Sequence, residues 1–177
     1  VIETPRLLLR GWRDDDYAPF AALNADPEVM RHFPATLSLE DSDALADRNR
    51  LHIDDHGWGL WAMERKLDGA FLGFTGLARP RPPHPLEDDV EVGWRLAQFA
   101  WGHGYASEAA RASLDYGFNE LGLSRIVSFT ATENLRSQAV MQRIGMERMP
   151  SLDFDHPALP KGHRLERHVV YAISRLG

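Results

Sequence analysis

The 177-residue sequence contains no cysteine. That excludes disulfides, thiolate metal sites and a cysteine nucleophile. No apolar run approaches the ~20 residues that a membrane span needs, so no membrane partner is expected. The first residues, Val1-Ile2-Glu3-Thr4-Pro5-Arg6, lack the basic start and apolar stretch of a secretory signal. They also lack an initiator Met, which reads as a trimmed start, and the expected location is the cytoplasm. No internal repeat or low-complexity tract appears. Positive charge is in the minority: 20 Lys and Arg stand against 26 Asp and Glu, a net charge of −6. A nucleic-acid binder usually concentrates positive charge on one face, so no nucleic-acid partner is expected. Mild acidity suits a cationic substrate, yet solubility is sufficient reason for it. The eight histidines are read as showing no ligand spacing such as His-x-x-x-His, and no metal is expected.

What is present is ordinary for one folded domain spanning residues 1–177: 44% apolar and 26% charged residues. Leu7-Leu8-Leu9 reads as a first strand. Asp14-Asp15-Asp16 opens a helix carrying Phe20 and Leu23, and Ser38 with Asp41 opens a second that runs to about Leu51. Leu60–Met63 and Ala70–Phe74 are apolar runs parted by a turn at Asp68-Gly69. Arg79 to Asp89 is a Pro-rich acidic loop. In Val90 to Leu96 the residues Val90, Val92, Trp94 and Leu96 share one face, and Glu91, Gly93 and Arg95 share the other. A helix from about Ala106 carries Ala110, Leu114, Phe118 and Leu121 and stops at Gly122. Ile126 to Thr132 reads as a strand. Asn134 caps a helix that buries Val140 and Ile144 and ends at Gly145. Pro157 and Pro160 lie in a loop, and Arg167 to Ile173 is the last strand. The class is mixed α/β around one sheet.

The informative stretch is Glu91-Val-Gly-Trp-Arg-Leu96 followed by Phe99-Ala-Trp-Gly-His-Gly-Tyr-Ala-Ser-Glu-Ala109. A strand ends, a glycine loop follows and a helix begins. Free N–H groups at a helix start favour an anion, and Gly102 and Gly104 let backbone approach a phosphate. The N–H groups from Gly102 to Ala106 can hold a pyrophosphate; a tight turn onto a helix explains the same residues. The dinucleotide fingerprint is incomplete, with Ser107 in place of its third glycine, and no Gly-Lys-Ser/Thr marks a P-loop.

With these residues in view, the chain resembles the GCN5-related N-acetyltransferase superfamily, specifically its ribosomal-protein N-terminal acetyltransferase branch. Thr4-Pro-Arg-Leu-Leu-Leu-Arg10 resembles the opening strand and Trp101-Gly-His-Gly-Tyr-Ala-Ser-Glu-Ala109 the pyrophosphate loop. Asn134 and Ser137, running to Ile144-Gly145-Met146, resemble the coenzyme-binding helix, and His168-Val-Val-Tyr171 the closing strand. Trp101 stands where the loop often begins with Gln or Arg. Met141 stands where many members carry a Tyr that protonates the leaving thiolate.

The resemblance implies a central, mostly antiparallel sheet with a splayed strand pair, flanked by helices. It also implies direct attack of a primary amine on bound acetyl-CoA. Glu91 is the first choice for the group that accepts the amine's proton or orients the amine. Asp89, His84 and His103 are weaker candidates. An N–H near Leu96 or Ala97 would meet the thioester carbonyl, and backbone from Trp94 through Arg95 and Leu96 to Ala97 would pair with the pantetheine arm. Trp101, Gly102, His103, Gly104, Tyr105 and Ala106 would cradle the pyrophosphate. Asn134 would touch the pantetheine, and Ser137 the thiolate. Each has a plainer explanation: sheet pairing, a helix cap, a surface hydroxyl. Trp12, Trp58, Trp61 and Phe33 can wall an acceptor pocket or simply fill the core, and Asp14 to Asp16 can draw in an amine or simply start a helix. The acceptor stays open between a small molecule and a peptide N-terminus, and a homodimer stays open too. The rival readings are a non-catalytic CoA-binding or sensor module, and a dinucleotide-dependent enzyme.

Overall fold

Alternating burial builds the first strands. The computed structural model describes residues 1–175 and opens with β1 (Ile2–Glu3) and β2 (Leu7–Arg10). Leu7 and Leu9 are wholly buried on one face of β2. Arg10 is buried as well, which an arginine tolerates only when its charge is met. Asp16 meets it at 2.8 and 2.9 Å, and Glu64 at 2.5 Å. The acidic run Asp14–Asp16 is therefore a short 3-10 turn whose last member is an ion-pair partner. It leads into α1 (Tyr17–Asn24), whose Phe20 is fully buried. Burial of that kind is worth ~1.5–3 kcal/mol for a large apolar side chain.

Helix α2 (Leu39–His56) starts as expected, with Ser38 Oγ accepting the Asp41 N–H at 3.1 Å. It continues past the expected stop near Leu51 because Ile53 prolongs the inward-facing stripe. Gly57, in the left-handed region at φ 80°, ends it. Strands β3 (Leu60–Arg65) and β4 (Phe71–Ala78) form the hairpin, turning at Gly69 with φ 74°. β4 runs beyond Phe74 because Thr75 to Ala78 find partners in β5 (Glu91–Leu96).

Helix α3 (Tyr105–Asn119) buries Ala110 and Leu114 but ends before Leu121, and Gly122 at φ 64° redirects the chain. Then come β6 (Arg125–Ala131), α4 (Leu135–Arg143), β7 (Glu147–Arg148), β8 (Phe154–Asp155) and β9 (Arg167–Ser174). The two-residue strands β1, β7 and β8 were not expected; a period of two has no room to show in so short a segment.

The sheet order is β1-β2-β3-β4-β5-β6-β9-β7, with β8 also on β9. Neighbours run antiparallel except β5 and β6, which are parallel. Helices α3 and α4 pack on the face holding Leu7, Met63, Leu72, Val92 and Ile126; α1 and α2 pack on the face holding Ala62 and Phe74.

The β5–β6 pair barely forms. Glu91 lies opposite Val127, the Val127 N–H donates to Val90 O at 3.0 Å, and Ser128 Oγ donates to Val92 O at 2.9 Å. Beyond Val92 the two strands part. β5 stays with β4 through Leu96, while β6 stays with β9 through Ala131.

Candidate active site

A cleft of about 1310 Å³ opens where β5 and β6 separate. It runs from the start of α3, through the gap in the sheet, to the underside of the α1–α2 connection. Trp94, Arg95, Leu96, Trp101, Gly102, Gly104, Tyr105, Ala106, Asn134 and Ser137 all line it, together with Glu91. Ala97 and His103, expected among the coenzyme contacts, do not. The Ala97 N–H is spent on Leu72 O at 2.8 Å, and the His103 ring leans on Tyr105, 5.5 Å between centroids.

At the α3 end the binding groups are backbone. Gly102 and Gly104 adopt φ 80° and 79°, and a Cβ built on Gly102 would meet nothing within 4 Å, so the space beside the loop is open. No side chain caps α3. Its first N–H groups, at Tyr105, Ala106 and Ser107, therefore face outward with the helix dipole behind them. Arg136 lies over the Trp101 ring at 3.7 Å and adds a cation to the same mouth. The loop is held from behind. Arg6 donates to His103 O at 2.8 Å and to Glu108 at 2.7 Å, and Thr4 Oγ1 donates to Glu108 at 2.6 Å. These residues fit the diphosphate of coenzyme A: exposed amides, glycine backbone and a positive rim.

In the gap the strand edge is the feature that matters. Ala97 pairs with Leu72, and a Cβ on Gly73 would fall 2.0 Å from Arg95 O, so the odd-numbered residues of β5 face β4. Alternation turns the even-numbered ones toward the parting strand. Val92 O is taken by Ser128 and Leu96 O by Trp101 Nε1 at 3.0 Å. The Trp94 peptide groups and the Leu96 N–H are left facing the cleft. Across from them, Asn134 Oδ1 accepts the Ser137 N–H at 3.2 Å, and Asn134 Nδ2 donates to Ser137 Oγ at 3.1 Å. The Ser137 hydroxyl keeps its own proton free to donate. Met141, the next residue inward on α4, is buried and borders the cleft.

Side chains dominate the remaining end. Glu91, half-buried at the cleft floor, has no hydrogen-bond partner among the described residues, and burial raises its pKa to about 8. Arg95, on the same strand face, reaches between Phe33 and Phe74. His168 was missed by sequence reasoning. Its Nδ1 faces Glu166 O at 3.2 Å, which requires the proton there and leaves Nε2 as an acceptor. Burial lowers its pKa to about 4, so the ring is neutral at pH 7. Nothing in the pattern of β9 marked it; only its register opposite Ala131 brings it to the cleft. Arg136 and Ser128 were also missed, although Arg136 stands between the two helix residues already singled out.

Other candidates fall elsewhere. Asp89 is held by Arg125 at 2.9 Å, and His84 packs among Phe129, Phe154 and His156. Trp12 and Trp61 are core, and Trp58 packs against the core; of the four aromatics only Phe33 lines the cleft. Asp14 pairs with Arg50 and Asp16 with Arg10, away from the cleft. The histidine reading also needs correction: His52 and His56 do stand four apart on α2, a spacing that metal ligands use. They stack at 4.3 Å, His52 Nδ1 engages Trp58 O at 2.8 Å, and no acidic or histidine third ligand joins them among the described residues.

A mostly antiparallel sheet with one parted parallel pair, and a glycine loop opening a helix beside the gap, is the architecture that the resemblance implies. Comparison with known proteins agrees. Residues 6–147 match the family described as an acetyltransferase (GNAT) domain, and the chain belongs to that family. It is 36% identical over 146 residues to the Bacillus subtilis protein YkkB, covering 81% of this chain and 83% of that one. It is 32% identical over 160 residues to the Aspergillus fumigatus FsC-acetyl coenzyme A-N(2)-transacetylase, covering 86% of this chain and 67% of that one. The crystal structure of a GNAT-family acetyltransferase from Bacillus anthracis superposes with a TM-score of 0.80 at 29% identity, covering 98% of this chain and 97% of that one. The protein is an acetyl-CoA-dependent N-acetyltransferase. Among the described residues no helix is long and apolar enough to cross a membrane.

Proposed function

We propose that the chain moves the acetyl group of acetyl-CoA straight to a primary amine while both are bound. The observation that carries this reading is the Glu91 carboxylate. It stands without a counter-ion at the floor of the gap between the glycine loop and the α1–α2 side. A thioester threaded through the gap from the loop would present its carbonyl near Glu91.

An amine must lose a proton to react, and a carboxylate with a pKa near 8 is better matched to that task than an ordinary one. Glu91, directly or through a water, takes the proton. The amine nitrogen adds to the thioester carbon, and the carbonyl oxygen gains negative charge. The Leu96 N–H is the donor that supports this oxygen; the Ala97 N–H is already committed. The C–S bond then breaks; the nitrogen sheds its second proton, and the Ser137 hydroxyl relays a proton to the thiolate and recovers one from solvent, so that serine and sulfur both end protonated. Met141 has none to give. No cysteine exists to hold the acetyl group, and Ser137 Oγ neighbours an amide, not a base. A covalent acetyl-enzyme therefore has no activated nucleophile here.

The test combines initial rates with protein mass. Intersecting double-reciprocal plots and an unchanged mass after incubation with acetyl-CoA alone are expected. Parallel lines with a stable acetylated serine would defeat the direct route.

A further inference from the structure

Arg95 carries a charge that nothing among the described residues neutralises. Its Nη1 donates to the amide oxygen Asn24 Oδ1 at 2.8 Å, and its Nε is buried with no partner. Phe33 and Phe74 flank the guanidinium, 4.4 and 5.2 Å from their ring centroids. No carboxylate among the described residues forms an ion pair with it. Other buried or half-buried arginines differ: Arg10, Arg125 and Arg148 each meet an acid at 2.5 to 2.9 Å. Taking a cation out of water without a counter-ion is costly, and burial lowers the Arg95 pKa to about 10, which still leaves it charged at pH 7. Phe33 and Phe74 recover part of that cost. Arg95 is one of the residues that line the cleft.

Glu91 stands on the same face of β5, four residues earlier. An extended strand separates the two Cα atoms by roughly 13 Å. No ion pair joins the carboxylate to the guanidinium, which turns to Asn24 instead, and burial is the one cause of each group's shift. The acceptor end of the cleft thus has an acid at one side and a bare cation at the other. We propose that the acceptor is an amine that also carries a carboxylate, its nitrogen presented to Glu91 and its carboxylate held by Arg95. This rests on the amine-transfer reading above and narrows its substrate. A polyamine would bring a second positive charge toward Arg95 and is disfavoured by repulsion.

The test is a comparison of matched acceptors, 4-aminobutyrate against butylamine and lysine against 1,5-diaminopentane. Release of CoA thiol is the readout, and a protein without cysteine adds no background. The carboxylated member of at least one pair is expected to have a kcat/KM higher by on the order of tenfold or more, the usual worth of a hydrogen bond to a charged group. Arg95→Gln should collapse that ratio, chiefly through KM of the carboxylated member, and Arg95→Lys should restore part of it. Equal kcat/KM within both pairs for the unaltered protein overturns the inference and leaves amine transfer standing. A ratio that survives in Arg95→Gln removes Arg95 from recognition. No turnover on any amine, with CoA still bound, overturns the amine-transfer reading and this inference with it. The comparison on the unaltered protein decides even if Arg95→Gln does not fold.

Discussion

The two ends of the cleft are built from different material. At the α3 end the binding groups are main-chain N–H groups, held by Gly102 and Gly104 and by a helix start that no side chain caps. At the α1–α2 end they are side chains, Glu91, Arg95, Phe33 and His168, of which Glu91 and Arg95 are half-buried with no charged partner among the described residues. Backbone amides present the same donors whatever the sequence, so the first end suits a ligand common to a whole family. Unpaired side chains cost stability and are specific in what they accept, so the second end is where one acceptor is told from another.

Glu91→Gln should divide the two ends most sharply. Turnover should fall by about 10²–10⁴ if Glu91 is the base, while CoA affinity stays unchanged. In the unaltered protein kcat/KM should climb through pH about 8 as Glu91 ionises. The variant should lose that limb and keep only the rise that follows the free amine. Unchanged turnover at every pH would remove Glu91 from the mechanism.

Gly104→Val acts on the other end. A saturating ~100-fold excess of CoA over its Kd should stabilise the unaltered protein by about 2.7 kcal/mol, seen as a rise of several degrees in Tm. NAD and ATP should do less. The valine must hold φ near 79° with its Cβ 3.5 Å from the Arg6 guanidinium that braces the loop, so the loop should shift and the CoA-dependent rise should vanish. Equal stabilisation by CoA, NAD and ATP would show that the loop is a generic anion site.

A smaller effect is expected for Ser137→Ala, a several-fold drop in kcat with less change in CoA affinity. If both stay constant, solvent protonates the thiolate and Ser137 is only part of the Asn134 cap.

The last effect concerns stability and not turnover. Glu91 has a folded pKa raised from 4.5 to about 8, so the native state holds the proton more tightly than the unfolded chain. Native stability then falls as pH rises from 4.5 toward 8. Glu91→Gln lacks this loss, so its Tm relative to the parent should climb across that window and level off above it. A flat difference in melting temperature from pH 4 to 9 would mean that the carboxylate is well solvated.

The sequence by itself determined what local chemistry controls. Period-two and three-to-four spacing marked the long strands and helices, Ser38 and Asn134 announced their helix starts, and Gly102 and Gly104 before an apolar helix announced the phosphate end. The order of those pieces was enough to place the family. Tertiary structure decided whatever depends on partners distant in the chain. Ala97 and Leu96 look equally eligible as donors until β4 claims the Ala97 N–H. Asp16 looks like a helix-start charge until Arg10 takes it, and Trp12 looks like a pocket wall until it packs on Phe20. Arg95 drew notice for its backbone, and only the fold shows its side chain unpaired beside Phe33. A residue's periodicity records which way it faces, whereas its charge state and free hydrogen bonds depend on what the rest of the chain brings to meet it.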